Sequence, residues 1–134
     1  MVFGGELLPR QPVDSQVHVV QLTSTTIETL SAPRTSSSPN PRVCASLITL
    51  QDKLYLFSGR GGLEMTPIEE KGALWAYMPG DNTWELIAPA APSAPYPCGR
   101  SYHAAASASD DRSSSSNMVA STARSREALV LCWP

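Results

Sequence analysis

The sequence predicts an all-β chain organised around a repeated four-stranded antiparallel unit. Three observations carry this expectation. No window of the 134 residues shows a helical hydrophobic period, whereas short β-branched and aromatic runs alternate with turn residues. Prolines crowd residues 31–41 and 88–99, where they block both helix and central strand. The chain also matches itself at a spacing of about 57 positions.

The self-match runs through five landmarks in order. Phe3-Gly4-Gly5 aligns with Phe57-Ser58-Gly59, and Val17-His18-Val19-Val20 with Leu74-Trp75-Ala76-Tyr77. Thr26-Ile27-Glu28-Thr29-Leu30 aligns with Thr83-Trp84-Glu85-Leu86-Ile87, Ala32-Pro33 with Ala88-Pro89, and Pro41-Arg42 with Gly99-Arg100. The offsets are 54, 57, 57, 56 and 58, so only loop lengths change between the copies. A β-sandwich is the competing all-β architecture, but it does not call for such a repeat.

The expected strands follow in chain order. A partial unit over residues 1–30 has strands at 2–3, 17–21 and 27–30. A full unit over 42–87 has strands at 43–50, 54–58, 74–77 and 83–87, with Pro79-Gly80-Asp81-Asn82 as the hairpin turn before the last. Trp84 is the large aromatic expected to fill the wedge between neighbouring twisted sheets. A third unit starts at 100–108, with a strand at 102–107. Its second strand is expected near a glycine pair around residue 115, but no glycine follows Gly99. Residues 109–134 therefore read as a Ser-rich segment, disordered or altered, with a late strand at 127–131 as an option.

These motifs resemble the Kelch repeat, a four-stranded β-propeller blade of roughly 50 residues. The residues that carry the resemblance are Phe3-Gly4-Gly5-Glu6-Leu7, Lys53-Leu54-Tyr55-Leu56-Phe57-Ser58-Gly59-Arg60 and Gly99-Arg100-Ser101-Tyr102-His103-Ala104. Tyr77 followed seven residues later by Trp84 belongs to the same pattern. Within Kelch proteins the chain is similar to the nitrile-specifier and fungal Kelch type. The resemblance implies a Kelch-type β-propeller fragment of about two four-stranded antiparallel blades. A ring needs roughly 4–8 blades, so the ring would be incomplete, with apolar blade faces exposed. A truncated propeller is the first expectation; self-association through those faces and a non-functional remnant are the others.

Functional expectations are narrower. The specifier type redirects glucosinolate breakdown with ferrous iron, held by a Glu-x3-Asp-x3-His pattern. Here Asp14 and His18 keep the second spacing, but Arg10 stands where the Glu belongs, so no metal site is expected. A galactose-oxidase-like copper site needs more histidines than His18 and His103. No cofactor is expected and no catalytic constellation is legible, which leans away from an enzyme. The remaining reading is a binding module for a protein partner or a small anionic ligand. Its pocket candidates are Arg42 and Arg100, which open inner strands, and His103. Each has a structural alternative: the arginines bonding loop carbonyls, the histidine packing. Glu69 and Glu70 are expected to be solvated on a long loop from 60 to 73.

Bulk properties exclude several partners. Hydrophobic residues make up 42% and charged residues 16%, and the net charge is −2, so no basic surface for nucleic acid is expected. Apolar runs are too short to span a bilayer, and no basic, long apolar leader opens the chain. A cytoplasmic protein is expected. Cys44, Cys98 and Cys132 form no C-x-x-C pair and read as free thiols.

Overall fold

The computed structural model describes residues 1–33, 37–89, 91, 93, 95–110 and 126–132, the backbone alone for 108–110 and 126–132. Among them there is no helix, and therefore none long and apolar enough to cross a membrane. The chain is all-β, with antiparallel sheets of two to four strands, none closed.

The first sheet joins β1 (Val2–Phe3), β4 (Val17–Gln21) and β5 (Thr26–Leu30), in that order. A small hairpin, β2 (Glu6–Leu8) with β3 (Gln11–Pro12), projects between β1 and β4. The second sheet is a four-stranded meander of β6 (Ser46–Leu50), β7 (Lys53–Phe57), β10 (Leu74–Met78) and β11 (Thr83–Ile87). Between β7 and β10 lies another hairpin, β8 (Arg60–Gly61) with β9 (Thr66–Pro67). The third sheet pairs β12 (Ala104–Asp110) with β13 (Arg126–Cys132). The late strand expected at 127–131 thus pairs with β12, while the Ser-rich stretch 111–125 lies outside the described residues.

Turn chemistry sets the hairpins. Gln51 and Asp52 both adopt positive φ, 49° and 60°, the geometry of a two-residue turn whose twist suits the flanking strands β6 and β7. Asn82 at φ 53° closes the β10–β11 turn, and its side chain accepts the Tyr77 hydroxyl at 2.8 Å. Thr25 at φ 55° closes the equivalent β4–β5 turn.

Left-handed residues also trim two expected strands. Cys44 (φ 54°) breaks the chain direction, so the inner strand starts at Ser46, not 43; Val43 makes only an isolated bridge to Arg60. Tyr102 (φ 59°) likewise moves the start of β12 to Ala104. The expected loop from 60 to 73 contains the β8–β9 hairpin.

The sequence repeat is a register repeat. Tyr77 pairs with Trp84 across β10 and β11, and Val20 pairs with Ile27 across β4 and β5. Neighbouring sheets pack front on back. The second sheet presents Leu54, Leu56, Trp75, Tyr77 and Trp84 to Phe3, Val17 and Leu30 of the first. Trp84 is the centre of the seam, with ring centroids 5.1 Å from Phe3, 5.1 Å from Tyr77 and 6.4 Å from Trp75. The opposite face of the second sheet turns to β12, which lies against β6.

A backbone bond repeats between adjacent units. Gly5 N–H donates to Arg42 O at 3.1 Å, and Gly59 N–H donates to Arg100 O at 2.8 Å. Gly59 has φ +97°, and a Cβ there would stand 2.8 Å from Val43 O. Only glycine satisfies both demands.

Trp84 and Ile27 occupy equivalent register positions but have 4% and 69% exposure. In dilute solution Trp84→Ala is expected to cost about 3–5 kcal/mol in urea unfolding. Ile27→Ala is expected to stay within about 0.5 kcal/mol of the unsubstituted chain.

Candidate functional site

The three residues singled out in the sequence converge on the end of β7. Arg42 follows Pro41 into the turn before β6 and is 2% exposed. Its Nε donates to Asn40 O at 3.1 Å and its Nη1 to Ser58 O at 3.0 Å. The guanidinium also pairs with the Glu70 carboxylate, Nη2 to Oε1 at 3.0 Å and Nη1 to Oε2 at 3.3 Å. Glu70 Oε1 accepts the Trp75 indole N–H as well, at 2.7 Å. A buried guanidinium needs a counter-charge, and the loop supplies it.

That geometry corrects the expectation for Glu70, which is the counter-ion of Arg42 and not a solvated carboxylate. Glu69 is exposed, but it too is bonded: it accepts Lys71 N–H at 2.6 Å and Gly99 N–H at 2.7 Å. Those backbone donors, Gly99 foremost, hold its carboxyl below the ordinary value.

Arg100 is half-buried at the same strand end. Its backbone N–H donates to Ser58 Oγ at 2.7 Å and its Nε to Cys98 O at 3.0 Å. His103 is buried between the second and third sheets. Its Nε2 shares a 2.8 Å hydrogen bond with Ser46 Oγ, and its ring meets Phe57 edge-on at 5.3 Å. Its Nδ1 is buried without a hydrogen-bond partner among the described residues. Burial, with a smaller contribution from the Arg100 charge, pushes the imidazole pKa down. None of the three lines either cavity described below.

His18 is occupied within its own sheet. Its ring nitrogens face Thr29 Oγ1 at 3.0 Å and the Asp14 carboxylate at 3.1 Å. Among the described residues no three His, Cys, Asp or Glu side chains group closely enough to hold a metal ion. Cys44 and Cys98 are free thiols.

A cavity opens where the two small hairpins and the turn before β12 meet. It holds about 280 Å³ and is lined by Glu6, Pro9 and Arg10 of the first hairpin, Arg60, Glu64 and Met65 of the second, and Val43 and Tyr102. Arg60 stacks its guanidinium 4.9 Å from the Tyr102 ring centroid, and its Nε donates to Ser101 Oγ at 3.2 Å. Its two terminal nitrogens make no hydrogen bond among the described residues. Arg10 bridges the hairpins, with its backbone N–H on Glu6 Oε2 at 2.8 Å and its Nη2 near Glu64 O at 3.4 Å. A second cavity of about 540 Å³ shares Arg10 and runs past Pro41 and Leu63.

In the sequence Arg60 opens the loop expected from 60 to 73, and neither it nor Arg10 nor Tyr102 stands out as a site residue. One signal was present. At the offset of 54, Arg10 falls on Glu64 and Glu6 on Arg60, so the two hairpins carry opposite charges at matching positions. No protein-family model matches the chain.

Two outcomes test these assignments. Glu70→Gln and Arg42→Met are each expected to destabilise urea unfolding, Arg42→Met by about 3–5 kcal/mol because Glu70 loses its counter-charge. The double variant is expected to lose less than the sum of the two. His103 has a folded pKa below its ordinary 6.5, so the unfolded chain binds the extra proton first. Its contribution is complete above 6.5 and is lost as pH falls toward the folded value. The melting temperature is expected to fall between about pH 7.5 and about pH 5.5, and His103→Gln to flatten that slope. A slope unchanged by the substitution would assign it to another group.

Proposed function

We propose that the chain is a Kelch-type β-propeller segment that works as a binding module. Two features support the architectural part. The four-stranded meander repeats the registers of the preceding sheet, and the glycine-to-arginine backbone bond recurs at each junction. Sheets stacked in this way present their connecting loops side by side, and recognition residues concentrate on such loops.

The observation that carries the binding reading is the 280 Å³ cavity between the hairpins. Arg60 is held in place by Tyr102 and Ser101, and its terminal nitrogens make no hydrogen bond among the described residues. A guanidinium fork of this kind matches a carboxylate in two parallel hydrogen bonds. Val43, Met65 and Tyr102 supply apolar wall beside it. The occupant is a protein segment or small ligand that brings a carboxylate and an adjoining apolar group. Arg42 takes no direct part, because its donors are spent within the fold.

Short peptides with acidic and apolar residues, followed by fluorescence anisotropy, test the reading. Arg60→Ala is expected to weaken binding by about tenfold or more, equivalent to about 1.4 kcal/mol. Charge-reversed peptides are expected not to bind. Acidic peptides that fail to bind, or bind Arg60→Ala equally well, would exclude this cavity as the recognition site.

A further inference from the structure

Four charged residues border the 280 Å³ cavity: Glu6 and Arg10 of the first hairpin, and Arg60 and Glu64 of the second. Within each hairpin the two charges are four residues apart, and their order is reversed from one hairpin to the other. The repeat therefore sets two positive and two negative groups around one small space. Among the described residues the ion pairs are His18 with Asp14 and Arg42 with Glu70, and none joins any two of these four.

Part of this set is engaged in other ways. One Glu6 oxygen accepts the Arg10 backbone N–H at 2.8 Å, and Arg10 Nη2 reaches the backbone carbonyl of Glu64 at 3.4 Å. Arg60 is fixed by Ser101 and by the Tyr102 ring. Its terminal nitrogens and the Glu64 carboxylate make no hydrogen bond among the described residues. Arg60 opens β8 and Glu64 stands in the turn before β9, so a single hairpin brings one cation and one anion to the same cavity. Val43 and Met65, 3% and 7% exposed, supply buried apolar wall.

Such a lining selects against singly charged ligands. An anion alone would meet Glu6 and Glu64 as like charges, and a cation alone would meet Arg10 and Arg60. A ligand with both charges satisfies each. Size narrows the class further. Pockets for drug-sized ligands run to about 300–1,000 Å³, and this one falls below that range at about 280 Å³.

We infer that the cavity binds a small zwitterion, an α-amino acid with an aliphatic side chain. The carboxylate takes the Arg60 guanidinium, the ammonium takes the Glu64 carboxylate, and the side chain lies against Val43 and Met65. The inference rests on the binding reading above and adds to it a subsite for the ammonium.

NMR titration of the chain with L-leucine, N-acetyl-L-leucine and L-leucinamide tests it. L-leucine is expected to bind about fivefold more tightly than N-acetyl-L-leucine, which keeps the carboxylate and lacks the ammonium; that factor is the size of an exposed ion pair. L-leucinamide, which lacks the carboxylate, is expected to bind about tenfold more weakly than L-leucine. Glu64→Gln is expected to abolish the first preference and keep the second, and Arg60→Ala to abolish the second. Glu64 is exposed, so circular dichroism and urea unfolding of Glu64→Gln are expected to match the unsubstituted chain. Equal binding of L-leucine and N-acetyl-L-leucine, or a preference that survives Glu64→Gln, would overturn the ammonium subsite and leave the carboxylate reading standing. Acidic peptides that bind through Arg60 while L-leucine does not bind would do the same. Carboxylate ligands that all bind Arg60→Ala as well as the unsubstituted chain would remove the carboxylate reading, and this inference with it.

Discussion

The seam between the first and second sheets is the contact on which the rest of the structure depends. Trp84 lies at its centre, edge-on or tilted to Phe3, Trp75 and Tyr77. Such ring contacts add about 0.5–1.5 kcal/mol each beyond the area they bury. They also require the two sheets to meet at one angle and one register. Without that seam, a three-stranded sheet with β1 of two residues has too little surface to stay ordered. The hairpins that form the cavity hang from these sheets, so the position of Arg10 relative to Arg60 is a product of the seam.

A second constraint works at the strand ends. The chain must turn sharply after β1 and β7 while passing close to the next unit. Gly5 and Gly59 supply the backbone conformation, and each donates its N–H to an arginine carbonyl. The buried guanidinium of Arg42 then gathers Asn40, Ser58 and Glu70 around the same point. Removing two opposite charges from water is costly, and the attraction between them offsets that cost only with full hydrogen bonding. Here the carboxylate also takes the Trp75 N–H, which ties the loop after β9 to the core strand β10.

This arrangement explains why residues that look functional in a sequence need not be so. Arginine and histidine at the mouth of a strand invite a pocket reading, and Arg42, Arg100 and His103 do cluster. They cluster around backbone carbonyls, Ser58 and Phe57, not around a cavity. Arg60 sits only two residues beyond Ser58, yet it lines a cavity bounded by three separate segments. Distinguishing a spent guanidinium from an available one requires knowing where the acceptors are.

The amino-acid sequence by itself determined the all-β class, the spacing of the repeated sheets and the turn at 79–82. Those features rest on local chemistry: alternation, proline, glycine and matched intervals all act within one strand or hairpin. It placed the starts of β6 and β12 two or three residues early, because the left-handed turns at Cys44 and Tyr102 carry no glycine to announce them. Tertiary structure alone decided which face of each sheet is covered, that Glu70 neutralises Arg42, and that Arg10, Arg60 and Tyr102 border one cavity. Glu70 and Arg42 lie 28 residues apart and Arg10 and Glu64 lie 54 apart. Contacts over such separations exist only once the stacking of twisted sheets has fixed the distance between their loops.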